Sequence, residues 1–214
     1  MAITLYYASG SPPAWRVWLA LEHKKLPYEL KVLSFDQGDL RKPEFLAVSP
    51  RHKVPTIVDD GFALYESAAI VEYLEDRYPS AGLPLFPRGV EERAITRRTI
   101  QEADHYYQPA LVKLIQQTLF APDGQGDPKE IAAARASIIA ELDHFEGAIQ
   151  GDFLTGALSA ADFALYPMIA LSRRIDKKFP QHSIAGHLGP KLTAWMKRVE
   201  ALPYYQKTIP PHWK

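Results

Sequence analysis

Three hydroxyl groups lie close together near the start of the chain, on Tyr7, Ser9 and Ser11. The residues up to Tyr7 are apolar, β-branched or aromatic and predict a strand, while Ser11 before Pro12 is typical of a helix N-cap. A hydroxyl at a helix N-terminus can stabilise an anion such as a thiolate by donating a hydrogen bond to it. Taken alone, the pattern favours a simple cap at Ser11, a strand aromatic at Tyr7 and a turn at Ser9.

A second set of ligand-binding features follows at Val54-Pro55 and Glu66-Ser67. Proline at the head of a strand has no N–H, and a cis bond before it would present the backbone of Val54 to a ligand. The turn residues 59–61 predict a hairpin that leads into a helix from about Glu66. The N–H groups of a helix start suit a carboxylate, and Glu66 suits an amine. The segment is therefore predicted to bind one amino-acid-like end of a ligand.

The elements around these residues predict an α/β domain. A helix follows Ser11 and ends before Pro27, and residues 28–32 alternate like a second strand. An irregular segment around residues 43–48 then leads to the hairpin and a helix that ends before Pro79. The order βαβ followed by ββα predicts a thioredoxin-like domain over residues 1–79.

The second half of the chain has a different pattern. Residues 80–89 are dense in proline and glycine and predict an interdomain linker. Residues 90–214 then show long amphipathic segments, at about 90–120, 128–150, 159–178 and 188–202, which predict an all-α helical C-terminal domain. Ser159 and Asp162 have the spacing of a capping box and predict a helix start rather than a catalytic role.

Composition narrows the function classes. Lys plus Arg equals Asp plus Glu, so the formal net charge of zero gives no support to a nucleic-acid partner. No apolar segment approaches membrane-spanning length and no charged leader with an apolar run opens the chain, so we expect a cytoplasmic protein without a membrane partner. The chain has no cysteine, which excludes thiol–disulfide exchange by the protein itself. Any reactive sulfur must therefore arrive with the ligand.

The chain resembles the cytosolic glutathione transferases. The resemblance is strongest from Glu44 to Leu74. Similar family patterns occur at residues 5–21, 103–107, 158–162 and 202–203, so the resemblance covers most of the chain. The loop from Ser11 to Val17 is similar to the serine-bearing loop of the theta-, delta- and zeta-like classes. The resemblance implies a glutathione-binding N-terminal domain, a helical C-terminal domain, a detoxification role and a homodimer.

The same resemblance assigns roles to the residues singled out above. It makes Ser11 the activator of the glutathione thiol, ahead of the competitors Tyr7 and Ser9. It also assigns each part of glutathione to a pair of residues. The glycine carboxylate is assigned to His52 with Lys53, the cysteinyl backbone to Val54 with Pro55, and the γ-glutamyl end to Glu66 with Ser67. Pro12 and Pro13 remove backbone donors from the first turn, so more of the task rests on the Ser11 hydroxyl.

The electrophile is expected on apolar and aromatic side chains between the two domains. Tyr106 and Tyr107 are candidates, although aromatic residues in a helix are more often part of the core. The C-terminal segments Tyr204-Tyr205 and Pro210 to Trp213 either cover the same cleft or cap the domain. The histidines form no metal-ligand pattern with nearby carboxylates, so we expect no metal.

The resulting prediction is a glutathione transferase that joins the glutathione thiolate to a small, mostly apolar electrophile. Zeta-like features around Trp15, Arg16 and Val17 leave a glutathione-dependent cis–trans isomerase of the maleylacetoacetate isomerase type as an alternative. The second alternative is a non-catalytic transferase-like binding module, which often lacks the hydroxyl or the Glu-Ser pair. This chain retains both at Ser11 and Glu66-Ser67.

Overall fold

The computed structural model describes residues 3–213 and separates into two compact units. The first unit holds the described residues up to Pro87 together with those from Leu202 onward. The second unit spans Arg88–Ala201. The two ends of the chain therefore belong to the same unit.

The first unit is built on a four-stranded mixed sheet. Its strand order is β2-β1-β3-β4, with β1 parallel to β2 and antiparallel to β3, and β3 antiparallel to β4. This topology confirms the predicted thioredoxin-like fold. In chain order the elements are β1 (Ile3–Ala8), α1 (Pro12–His23), β2 (Tyr28–Leu33), α2 (Pro43–Leu46), β3 (Thr56–Asp59), β4 (Phe62–Tyr65) and α3 (Ser67–Arg77).

Helix α1 forms the centre of the core of this unit. It begins at Pro12 because Ser11 caps it and proline already has helical φ at the first position. Every residue from Ala14 to Leu21 is buried, so the helix has no polar face toward solvent. A helix that is apolar nearly all round is typical of a buried element, and α1 packs against α3, where Ile70, Val71 and Leu74 are buried.

The second unit is helical, as predicted. Its elements are α4 (Val90–Glu102), a π-helical segment (Ala103–Tyr107), α5 (Gln108–Gln117), α6 (Pro128–Ala148), α7 (Ala160–Lys178) and α8 (Pro190–Glu200). The turn residues 123–127 separate α5 from α6, and Asp127 caps α6 through a bond from the N–H of Lys129. Within residues 3–213, no helix combines the length and the apolar character that a membrane span requires.

The proline-rich segment 80–87 packs on the first unit, although the sequence placed the domain end at residue 79. Leu85 and Phe86 are buried, and the backbone N–H of Leu85 donates to Glu75 Oε2 at 3.1 Å. The same carboxylate pairs with the buried Lys24 ammonium at 2.7 Å. Apolar side chains between the prolines hold the segment down, so the change of unit falls after Pro87.

The C-terminal residues 202–213 also belong to the first unit, and this corrects the predicted domain 90–214. The short helix α9 (Tyr205–Thr208) lies against α1. Trp15 Nε1 donates to Thr208 Oγ1 at 3.1 Å, and His23 Nδ1 lies 2.8 Å from the Tyr204 hydroxyl. The buried aromatic residues of α1 thus attract a segment that is distant in sequence.

A complete capping box opens α7. The Ser159 hydroxyl accepts from the N–H of Ala161, and the Asp162 carboxylate accepts from the Ser159 N–H at 2.8 Å. Asp162 also accepts from the N–H of Leu154 at 3.0 Å and from Trp195 Nε1 at 2.7 Å. Burial raises the pKa of Asp162 to about 6, and these hydrogen bonds lower it. One buried carboxylate therefore ties together a loop, α7 and α8.

We expect Asp162→Ala to lower the free energy of unfolding of the protein by about 3–5 kcal/mol, since it deprives two backbone N–H groups and an indole N–H of their buried acceptor. Chemical denaturation measures this loss. Asp143→Ala, the same substitution at an exposed position of α6, is the control and is expected to change stability by less than about 0.5 kcal/mol. Equal stability of the two variants would contradict the structural role of Asp162.

Candidate functional site

Ser11 lies between β1 and α1 with an extended backbone and a half-buried side chain. Its Oγ accepts a hydrogen bond from the N–H of Ala14 at 3.4 Å, which makes it the N-cap of α1. Accepting this bond does not use the hydrogen of the hydroxyl, because a serine hydroxyl both donates and accepts. Ser11 therefore serves as the predicted cap and keeps the capacity to donate to an anion.

Tyr7 and Ser9, the two competitors, have other surroundings. The Tyr7 side chain is fully buried, and its hydroxyl accepts from the N–H of Gly10 at 3.4 Å. Burial raises the pKa of Tyr7 to about 12, although its hydrogen bonds with Gly10 and Ser9 lower it. Ser9 Oγ lies 2.5 Å from Nδ1 of His212 in the C-terminal segment. Both competing hydroxyls are thus engaged by neighbouring groups of the protein.

The segment before β3 has the geometry that the sequence indicated. The Val54–Pro55 bond is cis, Val54 is half-buried and Pro55 is buried. The carbonyl of Lys53 accepts from Ser49 Oγ at 2.9 Å and from Thr56 Oγ1 at 3.4 Å, which fixes the backbone of the turn. The side chains of His52 and Lys53 are exposed, and His52 has a positive φ of 56°. Both side chains are accessible to a ligand in solution.

The start of α3 presents Glu66 and Ser67. Glu66 is exposed and has a φ of 71°, a conformation that is uncommon for residues other than glycine. Such outliers persist where surrounding structure enforces them, and they are frequent at ligand sites. Ser67 is the first residue of α3, so its N–H and those of Ala68 and Ala69 have no partner within the helix. This helix start suits a carboxylate.

Sequence reasoning assigned no role to Arg16. Its side chain is only 1% exposed, and Nη1 donates to Ser67 Oγ at 3.1 Å, which connects α1 to the start of α3. Charged residues are almost never fully buried unless they are paired. A single charge among Trp15, Val17, Trp18 and Leu19 was the available signal.

The strand register brings these segments to one edge of the sheet. Tyr6 of β1 is opposite Thr56 of β3, so the residues after β1 lie next to those before β3. Thr56 is in turn opposite Tyr65 of β4, so the residues after β4 lie at the same edge. The Ser11 loop, the Val54–Pro55 turn and the start of α3 therefore lie at the same end of the sheet. A hydroxyl donor, an exposed backbone turn and a helix N-terminus are three groups that can bind a peptide-like ligand.

The two tyrosines predicted for the electrophile have opposite environments within the helical unit. Tyr106 is 62% exposed. Tyr107 is fully buried, its hydroxyl lies 2.9 Å from Ser172 Oγ, and burial raises its pKa. Both lie in the π-helical segment, a distortion that is frequent at functional sites. The sequence left open whether these tyrosines belong to the core or contact the substrate. Tyr107 belongs to the core, and of the two only Tyr106 has an exposed ring that a substrate could contact.

The carboxylates and histidines are dispersed. Among residues 3–213, no three or more His, Cys, Asp or Glu side chains are grouped so that they could hold a metal ion. The candidate site of the first unit thus consists of hydroxyls, backbone groups, one buried arginine and the exposed side chains of His52, Lys53 and Glu66.

Comparison with known protein families matches both units. Residues 5–82 match the family model of the glutathione S-transferase N-terminal domain. Residues 128–198 match that of the glutathione S-transferase C-terminal domain. The first match includes Ser11, Arg16, the Val54–Pro55 turn and the start of α3.

Individual relatives cover nearly the whole chain. Glutathione S-transferase A of Pleuronectes platessa is 29% identical over 99% of this chain and 92% of its own length. Maleylacetoacetate isomerase of Dictyostelium discoideum is 31% identical over 97% of this chain and 96% of its own length. The crystal structure of a glutathione S-transferase from the Antarctic clam Laternula elliptica is similar with a TM-score of 0.81 and 29% identity, covering 100% of this chain and 94% of the clam chain.

The strand topology and these full-length similarities agree with one another. Because the relatives match over almost their entire length, both units of the chain are accounted for by one family. The chain belongs to the glutathione S-transferase family and is an enzyme of the glutathione transferase type.

Proposed function

We propose that this transferase binds glutathione along the edge where the Ser11 loop, the Val54–Pro55 turn and the start of α3 meet, and that Ser11 activates its thiol. The observation that carries the proposal is the register that places these three segments together. They offer a thiol-facing hydroxyl, backbone groups for the middle of the tripeptide and a helix start for its γ-glutamyl end.

The chemical task is to keep the glutathione sulfur as a thiolate. A cysteine thiol has a pKa of about 8.5, so only a few per cent is ionised at neutral pH. A hydrogen bond from the Ser11 hydroxyl to the sulfur stabilises the anion and lowers the thiol pKa. The proton leaves to solvent, and the thiolate then forms a bond to the electrophilic carbon of the second substrate. It either displaces a leaving group such as halide or adds to an activated double bond, whose other carbon then takes up a proton from solvent. Pro12 and Pro13 supply no backbone donors, so the hydroxyl has the main role.

The environments of the three hydroxyls support Ser11 over its competitors. Tyr7 is fully buried beneath the loop, and the Ser9 hydroxyl contacts His212. Ser11 is half-buried, and its position at the N-cap adds the favourable dipole of α1. A group that stabilises a thiolate must be accessible to the ligand, and this condition favours Ser11.

The remaining contacts follow the polarity of glutathione. The N–H groups at the start of α3 and the Ser67 hydroxyl suit the γ-glutamyl carboxylate, and the Glu66 carboxylate suits its amine. The backbone of Val54, held by the cis bond to Pro55, suits the cysteinyl backbone. His52 and Lys53, exposed on the adjoining turn, are assigned to the glycine carboxylate.

The second substrate and the setting are also part of the proposal. Tyr106 is the candidate contact for a small, mostly apolar electrophile, because its ring is exposed. We further propose a cytoplasmic homodimer that acts in detoxification, as is typical of the family. The zero net charge is consistent with small-molecule substrates and gives no electrostatic attraction to nucleic acid or anionic membranes.

A glutathione-dependent cis–trans isomerase is the second candidate function. It is supported by the maleylacetoacetate isomerase that is 31% identical over 97% of this chain. In such a reaction the thiolate adds to one carbon of a double bond, the bond rotates, and the thiolate leaves again. The Ser-Pro-Pro sequence from Ser11 differs from the Ser-Ser-Cys loop of that class, which favours conjugation.

Ser11→Ala is expected to raise the pKa of the bound glutathione thiol by about one unit, because it removes the hydrogen-bond donor. Glutathione affinity is expected to stay within about twofold of wild type, and kcat near pH 6.5 to fall by up to about tenfold. Ultraviolet absorbance of the thiolate between pH 5 and 9 measures the pKa. Tyr7 does not ionise in this range, since its pKa is about 12.

Two variants sharpen that titration. Ser137→Ala, at an exposed position of α6, is the matched control and should behave as wild type. Tyr7→Phe should leave the thiol pKa lowered. A wild-type thiol pKa in Ser11→Ala together with a raised one in Tyr7→Phe would contradict the assignment of Ser11. Binding without a lowered thiol pKa in the wild type would favour a non-catalytic binding module.

Ser67→Ala and Arg16→Met are each expected to weaken glutathione binding about tenfold, with the pKa of the bound thiol still lowered. The physical reason is that Arg16 holds the Ser67 hydroxyl in place at 3.1 Å. The double variant should lose less affinity than the sum of the single variants, with a coupling free energy of at least about 0.5 kcal/mol. Calorimetric titration with glutathione measures all four proteins. Strict additivity would show that Arg16 does not act through Ser67.

The amount of glutathione thiol consumed per product distinguishes the two candidate reactions. Conjugation consumes one thiol for each product formed, whereas isomerisation returns the thiol unchanged. We expect loss of thiol to match the consumption of an electrophile such as an aryl halide or an activated alkene. The isomerase would instead be established by two results together. A cis-configured maleyl substrate would be converted while the concentration of glutathione thiol stays constant, and none of the electrophiles would be conjugated.

A further inference from the structure

The end of the C-terminal segment lies directly on the loop that carries Ser11. Ser9 Oγ and His212 Nδ1 are 2.5 Å apart although 203 positions separate them in sequence. A methyl group on Gly10 would come within 2.9 Å of the His212 ring, so the loop backbone and the imidazole are in close contact. The Trp213 ring packs edge-on against Trp15 of α1, with ring centroids 5.3 Å apart. The segment thus contacts the residues just before Ser11 and also the helix that follows it.

The hydrogen bonds of His212 have a defined direction. Trp213 Nε1 donates to His212 Nε2 at 2.9 Å, and an indole nitrogen can only donate. His212 Nε2 must therefore be the unprotonated nitrogen of a neutral imidazole. The ring hydrogen is then on Nδ1, which donates to Ser9 Oγ.

This direction determines what Ser9 can do. Because its oxygen accepts from His212, the hydrogen of its own hydroxyl points to another acceptor. Ser9 also hydrogen-bonds with the phenol of Tyr7, whose oxygen can accept this hydrogen. The donated hydrogen bonds therefore run in one direction, from Trp213 to His212 and from His212 to Ser9.

The same direction excludes a nucleophilic Ser–His pair. A histidine that activates a serine must accept the serine hydrogen. The unprotonated ring nitrogen of His212, Nε2, faces Trp213 instead of Ser9. Ser9 is thus oriented by His212 rather than activated by it. An oriented hydroxyl two residues before Ser11 restrains the loop in which the thiol-activating group lies.

We propose that His212 is a positioning residue of the glutathione site, which orients the Ser9 hydroxyl and holds the Gly10–Ser11 loop in the geometry that thiol activation requires. The inference rests on the proposed function, in which Ser11 donates to the glutathione sulfur. It assigns the C-terminal segment a role in the chemistry of the first unit in addition to covering its surface.

A first experiment tests the tautomer without glutathione. A long-range ¹H–¹⁵N NMR spectrum of the full chain at pH 7.5 distinguishes the two ring nitrogens of each histidine, and the spectrum of His212→Phe identifies the signals of His212. We expect hydrogen on Nδ1 and none on Nε2. Hydrogen on Nε2, or on both nitrogens, would overturn the proposed direction of these hydrogen bonds.

A second experiment measures the consequence for the thiol. His212→Phe keeps a ring over Gly10 but removes both hydrogen bonds, and it is expected to raise the pKa of bound glutathione by about half to one unit. kcat near pH 6.5 should fall several-fold, while glutathione affinity stays within about twofold. His212→Asn retains a donor near the position of Nδ1 and should recover most of the loss. His187→Phe, at an exposed position of the helical unit, is the matched control.

The outcomes separate this inference from the proposed function. A lowered thiol pKa in the wild type that is unchanged in His212→Phe would overturn the role of His212 and leave Ser11 as activator. A reduced melting temperature in both His212 variants with an unchanged thiol pKa would show a structural cap only, and would also overturn the role. Failure of the wild type to bind glutathione would overturn both proposals, whatever the tautomer.

Discussion

The antiparallel pairing of β1 with β3 holds together the segments that we propose to bind glutathione. Because Tyr6 is opposite Thr56, the loop after β1 and the turn before β3 are neighbours at one edge of the sheet. The hairpin to β4 then returns the chain to the same edge, where α3 begins. A shift of one residue in this register would move every side chain of the strand to the other face. The buried face of β1, with Ile3, Leu5 and Tyr7 inside, opposes such a shift.

Helix α1 connects this edge to the rest of the unit. It is buried along most of its length and contacts α3 on one side and the C-terminal segment on another. Two buried cations, Arg16 in α1 and Lys24 at its C-cap, bond to α3: Arg16 Nη1 donates to Ser67 Oγ, and Lys24 pairs with Glu75. Buried charges are tolerated only with such partners. The pairs therefore set the position of α3, and with it the helix N-terminus assigned to the γ-glutamyl end.

The helical unit uses the same principle on a different residue. Asp162 is fully buried and accepts bonds from two backbone N–H groups and the Trp195 indole. Its role is to hold a loop and two helices, whereas Tyr106 of the same unit is exposed and is the proposed contact for the electrophile. Within the π-helical segment the Tyr106 ring is exposed and the Tyr107 ring is buried.

Local signals in the sequence were sufficient for the fold class, the cap at Ser11, the Val54–Pro55 turn and the capping box at Ser159, because each depends on residues a few positions apart. The same reading missed Arg16, left Tyr107 open and assigned residues 202–214 to the helical domain. These points depend on contacts across the chain: Arg16 with Ser67, Tyr107 with Ser172, and His212 with Ser9. Side-chain burial and hydrogen-bond direction arise only when distant segments pack. Tertiary structure therefore decided which residues surround the hydroxyls that the sequence had already named.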